Sequence, residues 1–194
     1  MNSIQIQQII RKTYPFLFQK DIDQLLGLGK YQLLENKAVI IRSGQYLDTT
    51  FFILQGMVRG YFTNEKGEEK NIFLRPEHTL TGAPECLFEN RPTKYTFESI
   101  LETHLMVFSL EAFQHIADQN PRLRQLYLKG LQETILTLVS RVEALIDLSP
   151  AERYEALLLR SPQFFQTAFN KHIANYLGIT PVSLSRIIRR RKGV

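Results

Sequence analysis

Apolar positions in the first thirty residues recur at helical spacing: Ile6, Ile9 and Ile10, then Phe16 and Leu17, then Leu25, Leu26 and Leu28. This predicts short helices at the start of the chain. From 36 to 109 the pattern changes. Ala38–Arg42, Phe51–Leu54, Met57–Thr63 and Glu68–Leu74 are separated by turn residues such as Ser43-Gly44, Gln55-Gly56, Asn64–Gly67 and Arg75-Pro76. Further strands are expected at Thr96–Leu101 and His104–Ser109. Short strands about 8–12 residues apart predict an antiparallel sandwich or barrel rather than a parallel βαβ sheet.

Helical spacing returns from about 110. In Pro121–Leu148, Leu128, Leu131, Ile135, Leu138, Val142 and Leu145 repeat at 3-4-3-4-3. Leu128, Ile135 and Val142 take the a positions of a heptad, and Leu131, Leu138 and Leu145 the d positions. β-Branched residues at two a sites with Leu at d predict a parallel two-stranded seam, and so a homodimer. Leu136, Val139 and Ile146 form a second apolar group, expected to cover the strand domain of the same subunit. Gly130 weakens this helix by about 1 kcal/mol relative to Ala, and the sequence offers no reason for it. After Ser149-Pro150 another helix is expected over Ala151–Arg160, stopping at Ser161-Pro162.

The last segment carries the strongest motif. Ile173, Ala174 and Leu177 share one face of a short helix, and Ala174 is small enough for a close helix crossing. Gly178 supplies a turn residue tolerant of positive φ. Thr180 is a good N-cap, and Pro181 costs nothing at the first helical position. The second helix is expected to bury Leu184 and Ile187 and to leave Val182, Ser183, Ser185, Arg186, Arg189 and Arg190 outside the core. That is a helix-turn-helix, whose second helix can enter a major groove. Base readout is assigned to Ser183, Ser185 and above all Arg186, which can grip guanine bidentately. Thr180, Arg189, Arg190, Arg191 and Lys192 are assigned to phosphates.

Charge supports that reading. Asn170–Val194 holds six Lys and Arg residues and no acid, which leaves residues 1–169 near −1 within a total of +5. A basic pole on a neutral body suits a polyanion such as double-stranded DNA. An apolar fraction of 44% fits a globular domain. No apolar run approaches a membrane span, no secretory signal is read at the start, and one cysteine, Cys86, cannot supply an iron–sulfur cluster. The expected location is the cytoplasm. His78, His104, His115 and His172 form no His-x-His pair, and no nucleophile motif surrounds any Ser. Neither catalysis nor a metal site is expected, and haem ligation by His78 or His104 is disfavoured.

Strand domain, long helix and C-terminal helix-turn-helix together resemble the Crp/Fnr family of bacterial regulators, in the short form common in Bacteroidetes. The resemblance rests on Phe52–Arg59, Glu152-Arg153-Tyr154, His172–Pro181 and Leu184–Ile187. It implies an α+β fold with three segments. These are a cyclic-nucleotide-binding-like, jelly-roll-like antiparallel β-roll effector domain with flanking helices over 1–118, a dimerisation helix over 119–148, and a DNA-binding helix-turn-helix over 149–194. It implies a base-contacting role for Arg186, a palindromic operator, and RNA polymerase as a further partner. The chain ends soon after the second helix of the motif, so no C-terminal wing strand is expected. The effector pocket would involve Gly82, Glu85, Lys94, Tyr95 and Thr96. Here the sequence departs from nucleotide-binding members: Pro84 stands where their ribose-binding Glu belongs, and Lys94 where their phosphate-binding Arg belongs. Lys lacks the planar fork that holds a cyclic phosphate, so a cyclic nucleotide is disfavoured and no cofactor is assigned. Val182 replaces a polar residue of many members. The alternative reading is a dimeric signalling or scaffold module, with a degenerate nucleotide domain and no DNA binding.

Overall fold

The computed structural model describes residues 1–191. Helices α1 (Ser3–Thr13) and α2 (Gln19–Leu28) lead into strands β1 (Lys30–Leu34), β2 (Val39–Ile41), β3 (Thr49–Gln55), β4 (Met57–Thr63), β5 (Glu69–Pro76) and β6 (Leu80–Gly82). Helix α3 (Pro84–Glu89) precedes β7 (Thr96–Ser99) and β8 (Thr103–Ser109). Then follow α4 (Leu110–Gln119), α5 (Pro121–Asp147), α6 (Pro150–Arg160), α7 (Gln163–Thr167), α8 (Asn170–Tyr176) and α9 (Pro181–Arg191).

The strands form two antiparallel sheets, ordered β1-β8-β3-β6 and β2-β7-β4-β5. The expected antiparallel roll is therefore present. Strand β3 shows why its apolar run is continuous. Phe51 and Ile53 point between the sheets, onto Phe73, Phe97 and Leu105. Phe52 and Leu54 point the other way, into a layer made with α1, α2, α4 and α5. A strand covered on both faces has no polar side to alternate with. At Gly56 the chain leaves one sheet for the other with φ +98°, and a Cβ there would lie 2.6 Å from the Glu102 carbonyl oxygen. Only glycine satisfies both demands.

Three elements escape the hydrophobic pattern. In β1 only Leu34 is buried, so its polar residues hide the strand. Strand β6 is three residues long, and α3 six. The entrance helices are fixed by an ion pair: Asp21 of α2 is fully buried and accepts from Arg122 (2.5 and 3.0 Å), from the Asn120 amide (2.7 Å) and from the Phe18 backbone (2.8 Å). The Arg122 hydrogen bonds hold its carboxyl well below the usual range. Gly130 now has a reason. Helix α5 crosses β6 there, and a Cβ would press on the Leu80 side chain at 3.3 Å.

One face of α5 packs on its own subunit through Leu123, Leu126 and Gly130, with Tyr127 and Leu138 half-buried behind them. The opposite face is bare. Leu128, Ile135, Leu136, Val139, Val142 and Ile146 are all exposed, Ile135 at 58% and Ile146 at 81%. This corrects two expectations. Leu136, Val139 and Ile146 do not cover the strand domain. Leu138 does not stand free as a d position, because it packs against the roll's own core. At 100° per residue the free stripe runs through 128, 135, 139, 142 and 146, with Leu145 also exposed; of the expected seam Leu128, Ile135, Val142 and Leu145 are exposed, Leu131 is half-buried and Leu138 packs on the roll.

Candidate nucleic-acid interface

Helices α8 and α9 share a small core of Ile173, Ala174, Leu177 and Leu184, all buried, closed by Tyr154 of α6 and by half-buried Ile187 and Ile188. Gly178 turns the chain at φ +72°, and the Ile179 amide returns to the Ala174 carbonyl at 2.9 Å. Thr180 caps α9, its Oγ1 accepting from the Ser183 amide at 3.1 Å. Turn, cap and core are where the spacing placed them.

The outer face of α9 presents Val182 (61% exposed), Ser185, Arg186, Arg189 and Arg190. Arg186 is exposed at the centre of that face. Ser183 is half-buried and shares a 2.9 Å hydrogen bond with the Thr180 hydroxyl, while Ser185 donates back to the Pro181 carbonyl at 3.0 Å. Both hydroxyls must rotate to meet a base. Arg191 is also exposed; it lies on the side of Leu184 and Ile187 and pairs with Glu155 of α6 at 2.9 Å. Lys192 lies outside the described residues.

The motif is joined to the roll by an edge-strand contact. Strand β5 ends its sheet, leaving backbone groups that need partners. Asn175 of α8 supplies them as a neighbouring strand would: its Oδ1 accepts from the Asn71 amide and its Nδ2 donates to the Glu69 carbonyl, both at 2.6 Å. Arg141 of α5 completes the edge. It donates to the carbonyls of Ile72 (2.8 Å), Asn71 (2.8 Å) and Tyr176 (3.0 Å), and stacks 4.1 Å over the Tyr176 ring. One guanidinium thus ties the long helix, the roll and the motif together. Beside it, buried Arg59 holds Glu98 (2.7 Å), Glu69 (2.6 Å) and Asn71 (3.3 Å). The sequence reading missed Arg59, Asn71, Arg141 and Asn175. The available signal was a lone Arg on the strip of α5 that faces away from the free apolar residues.

His172 is buried at this junction, its carbonyl accepting from the Asn71 side-chain Nδ2 at 3.1 Å. Burial first, then the cations Arg59 and Lys171, push its pKa down to about 4. The folded state therefore resists a proton that the unfolded chain takes near pH 6.5. Stability is full above about pH 6.5 and falls as pH drops toward 4. We expect His172→Gln to flatten this slope in denaturant titrations; an unchanged slope would reject the assignment.

The five candidate effector residues are not gathered into one pocket. Gly82 lines a cavity between α5 and the roll. Glu85 is buried and accepts from the Thr93 hydroxyl at 3.0 Å. Lys94 is exposed, over the Tyr95 ring. Tyr95 packs edge-on against Phe73 at 5.5 Å, and Thr96 accepts from the Ser43 amide at 3.1 Å. An acid already committed to Thr93 and a lysine on the surface make a poor cyclic-phosphate cradle. Among the described residues no group of three or more His, Cys, Asp or Glu converges as for a metal ion, and no helix is long and apolar enough to cross a membrane.

Residues 31–120 match the family model of the cyclic nucleotide-binding domain. Over 191 positions the chain is 27% identical to the anaerobic regulatory protein of Haemophilus influenzae, covering 91% of this chain and 73% of that one. It is 27% identical over 202 positions to the fumarate and nitrate reduction regulatory protein of Vibrio cholerae, covering 91% and 75%. The structure of FixK2 from Bradyrhizobium japonicum shares the fold, with TM-score 0.72 at 15% identity over 86% of this chain and 87% of that one. These relatives are regulatory proteins, and the fold here pairs a nucleotide-domain roll with a helix-turn-helix head. In this combination the chain is similar to regulators of the Crp/Fnr family.

Proposed function

We propose that this regulator acts as a homodimer on a palindromic operator. The observation carrying the proposal is the outward, acid-free face of α9 with Arg186 at its centre. Two copies pairing along the free stripe of α5 would present two such faces, as half-sites one helical turn apart require. The segments then divide the work as 1–118 for sensing, 119–148 for pairing and 149–194 for DNA. Work on the chromosome implies the cytoplasm, and contact with RNA polymerase belongs to the same reading. The exposed, basic α9 speaks against the scaffold alternative.

Arg186 reads a base in this scheme. Arg189 and Arg190 neutralise phosphates, and Thr180 helps to seat the helix start. Gel shifts on the protein's own promoter region test it. Arg186→Ala should cost about 1–3 kcal/mol at one base pair per half-site and relax the preference there. Arg190→Ala should weaken all sequences alike and reduce the salt slope by about 1 per subunit. Unchanged sequence preference in Arg186→Ala would reject the readout role.

Regulation follows from the Arg141 junction. An effector that shifts α5 against the roll moves the atoms holding Asn71, Ile72 and Tyr176, and with them the head. Effector-dependent change in operator affinity is the measurement that checks it.

A further inference from the structure

Val182 is an apolar side chain on the outer face of α9, 61% exposed and outside the core that α8 and α9 share. A single exposed aliphatic residue is ordinary on a protein surface; its place is what sets this one apart. At 100° per residue Val182 lies within about 60° of Ser185, Arg186 and Arg189, so it shares the strip on which Arg186 is central. It stands in the first turn, directly after Pro181, at the end of a recognition helix whose side chains meet base edges. The segment from Asn170 onward carries no acid, so the strip suits a polyanion and not an apolar protein partner.

The chemistry beside Val182 narrows what it can meet. Ser183 shares its hydroxyl with Thr180 at 2.9 Å, and Ser185 donates to the Pro181 carbonyl at 3.0 Å. Both polar neighbours are engaged at the start of the helix itself, and Val182 neither donates nor accepts. The groups that base pairs show in the major groove are hydrogen-bond donors and acceptors, with one exception, the C5 methyl of thymine. An adenine or cytosine amino group set against Val182 loses its water without gaining a partner, whereas a methyl group has no hydrogen bond to lose. A β-branched side chain also holds one strongly preferred rotamer in a helix, so its methyls are fixed before DNA arrives.

We propose that Val182 reads thymine, its two Cγ methyls packing on the C5 methyl of one thymine in each half-site. Four residues separate Val182 from Arg186, an advance of about 6 Å along the helix, and stacked bases rise by about 3.4 Å. The thymine therefore lies one or two base pairs from the guanine assigned to Arg186. This contact rests on the reading of α9 as the base-reading helix and adds to it a second, apolar determinant of sequence.

The test begins with an operator selected from random duplexes by the purified full chain. Each thymine of a half-site is then replaced in turn by deoxyuridine, which removes the methyl and leaves every hydrogen-bonding group in place. At one thymine per half-site the protein should lose about fourfold in affinity, the worth of one buried methyl-sized group. Replacement in both half-sites should cost about fifteenfold. A C·G pair at that position should bind more weakly still, and 5-methylcytosine there should recover part of the loss. Val182→Ser should bind thymine and uracil duplexes equally while keeping the guanine preference of Arg186. Val182→Glu, whose carboxylate accepts from the cytosine amino group, should prefer C·G at the same place. Both variants change an exposed residue and should keep the parent Tm. A protein indifferent to deoxyuridine at every position, or a Val182→Ser variant as sensitive as the parent, would overturn the proposal and leave the role of Arg186 standing. If no sequence is enriched over random duplexes, the base-reading role of α9 falls and this contact with it.

Discussion

Ile135→Glu should convert the protein from dimer to monomer in sedimentation experiments and abolish its gel shift at concentrations that saturate the parent. Ile135 is 58% exposed at the middle of a stripe that also holds Leu128, Val139, Val142 and Ile146. Contiguous apolar residues of this kind are rarely left bare on a monomer. Across a two-fold axis the substitution sets two carboxylates against each other in a desolvated seam, which costs several kcal/mol. A loss of about 3 kcal/mol raises the dimer dissociation constant roughly a hundredfold. The isolated chain then offers one half-site contact in place of two, and operator affinity falls with it. The structure also separates two registers. If the free stripe is the seam, Val139→Glu matches Ile135→Glu, while Leu138→Ala lowers Tm without changing the oligomeric state. Variants that stay dimeric would leave the stripe without a role in pairing.

Arg141→Met should lower Tm by roughly 10 °C and loosen the head from the roll. The substitution keeps the side-chain stem but removes donors to three carbonyl oxygens, those of Asn71, Ile72 and Tyr176. Buried acceptors left unpaired cost about 1–3 kcal/mol each, and relaxation recovers part of this, leaving about 3–5 kcal/mol. For a chain of this size each kcal/mol moves Tm by about 2–4 °C. Hydrogen exchange at the Asn71 amide, held by Asn175, should accelerate as the edge opens. Exposed Arg189→Met provides the comparison and should leave Tm nearly unchanged. A small Tm effect with slow Asn71 exchange would show that Asn175 and Arg59 hold the junction without Arg141.

These two experiments bear on features of unequal legibility. Ile135 and Val142 are visible as a repeat because a helix face must be apolar to be covered by anything. The repeat does not say what covers it. Leu138 and Val139 are adjacent and both apolar, yet one lies on the roll and the other is bare. That choice comes from where α5 touches β6 at Gly130, a contact between residues fifty apart. Arg191 shows the same limit. Its neighbours Arg189 and Arg190 face out, while the rotation of α9 turns Arg191 to Glu155.

The effector region is the least legible part of the sequence. Glu85 and Lys94 have the right chemistry for an anion, but Thr93 takes the one and solvent the other. Arg75 looked like a turn residue beside Pro76. In the fold it is buried beneath α5 with its Nε unpartnered, and burial is invisible in a single sequence.

What the chain determined by itself was local: strand against helix from the period of apolar residues, the Gly178-Thr180-Pro181 turn from backbone preference and capping, and the basic end from composition. These are set by neighbours within a few residues, so they are written in order along the chain. Tertiary structure alone decided which side of α5 is free, that Asn175 and Arg141 complete the edge of β5, and that Arg75 faces a cavity. Those outcomes depend on groups from distant segments meeting at hydrogen-bond or van der Waals range, and one-dimensional spacing carries no such distances.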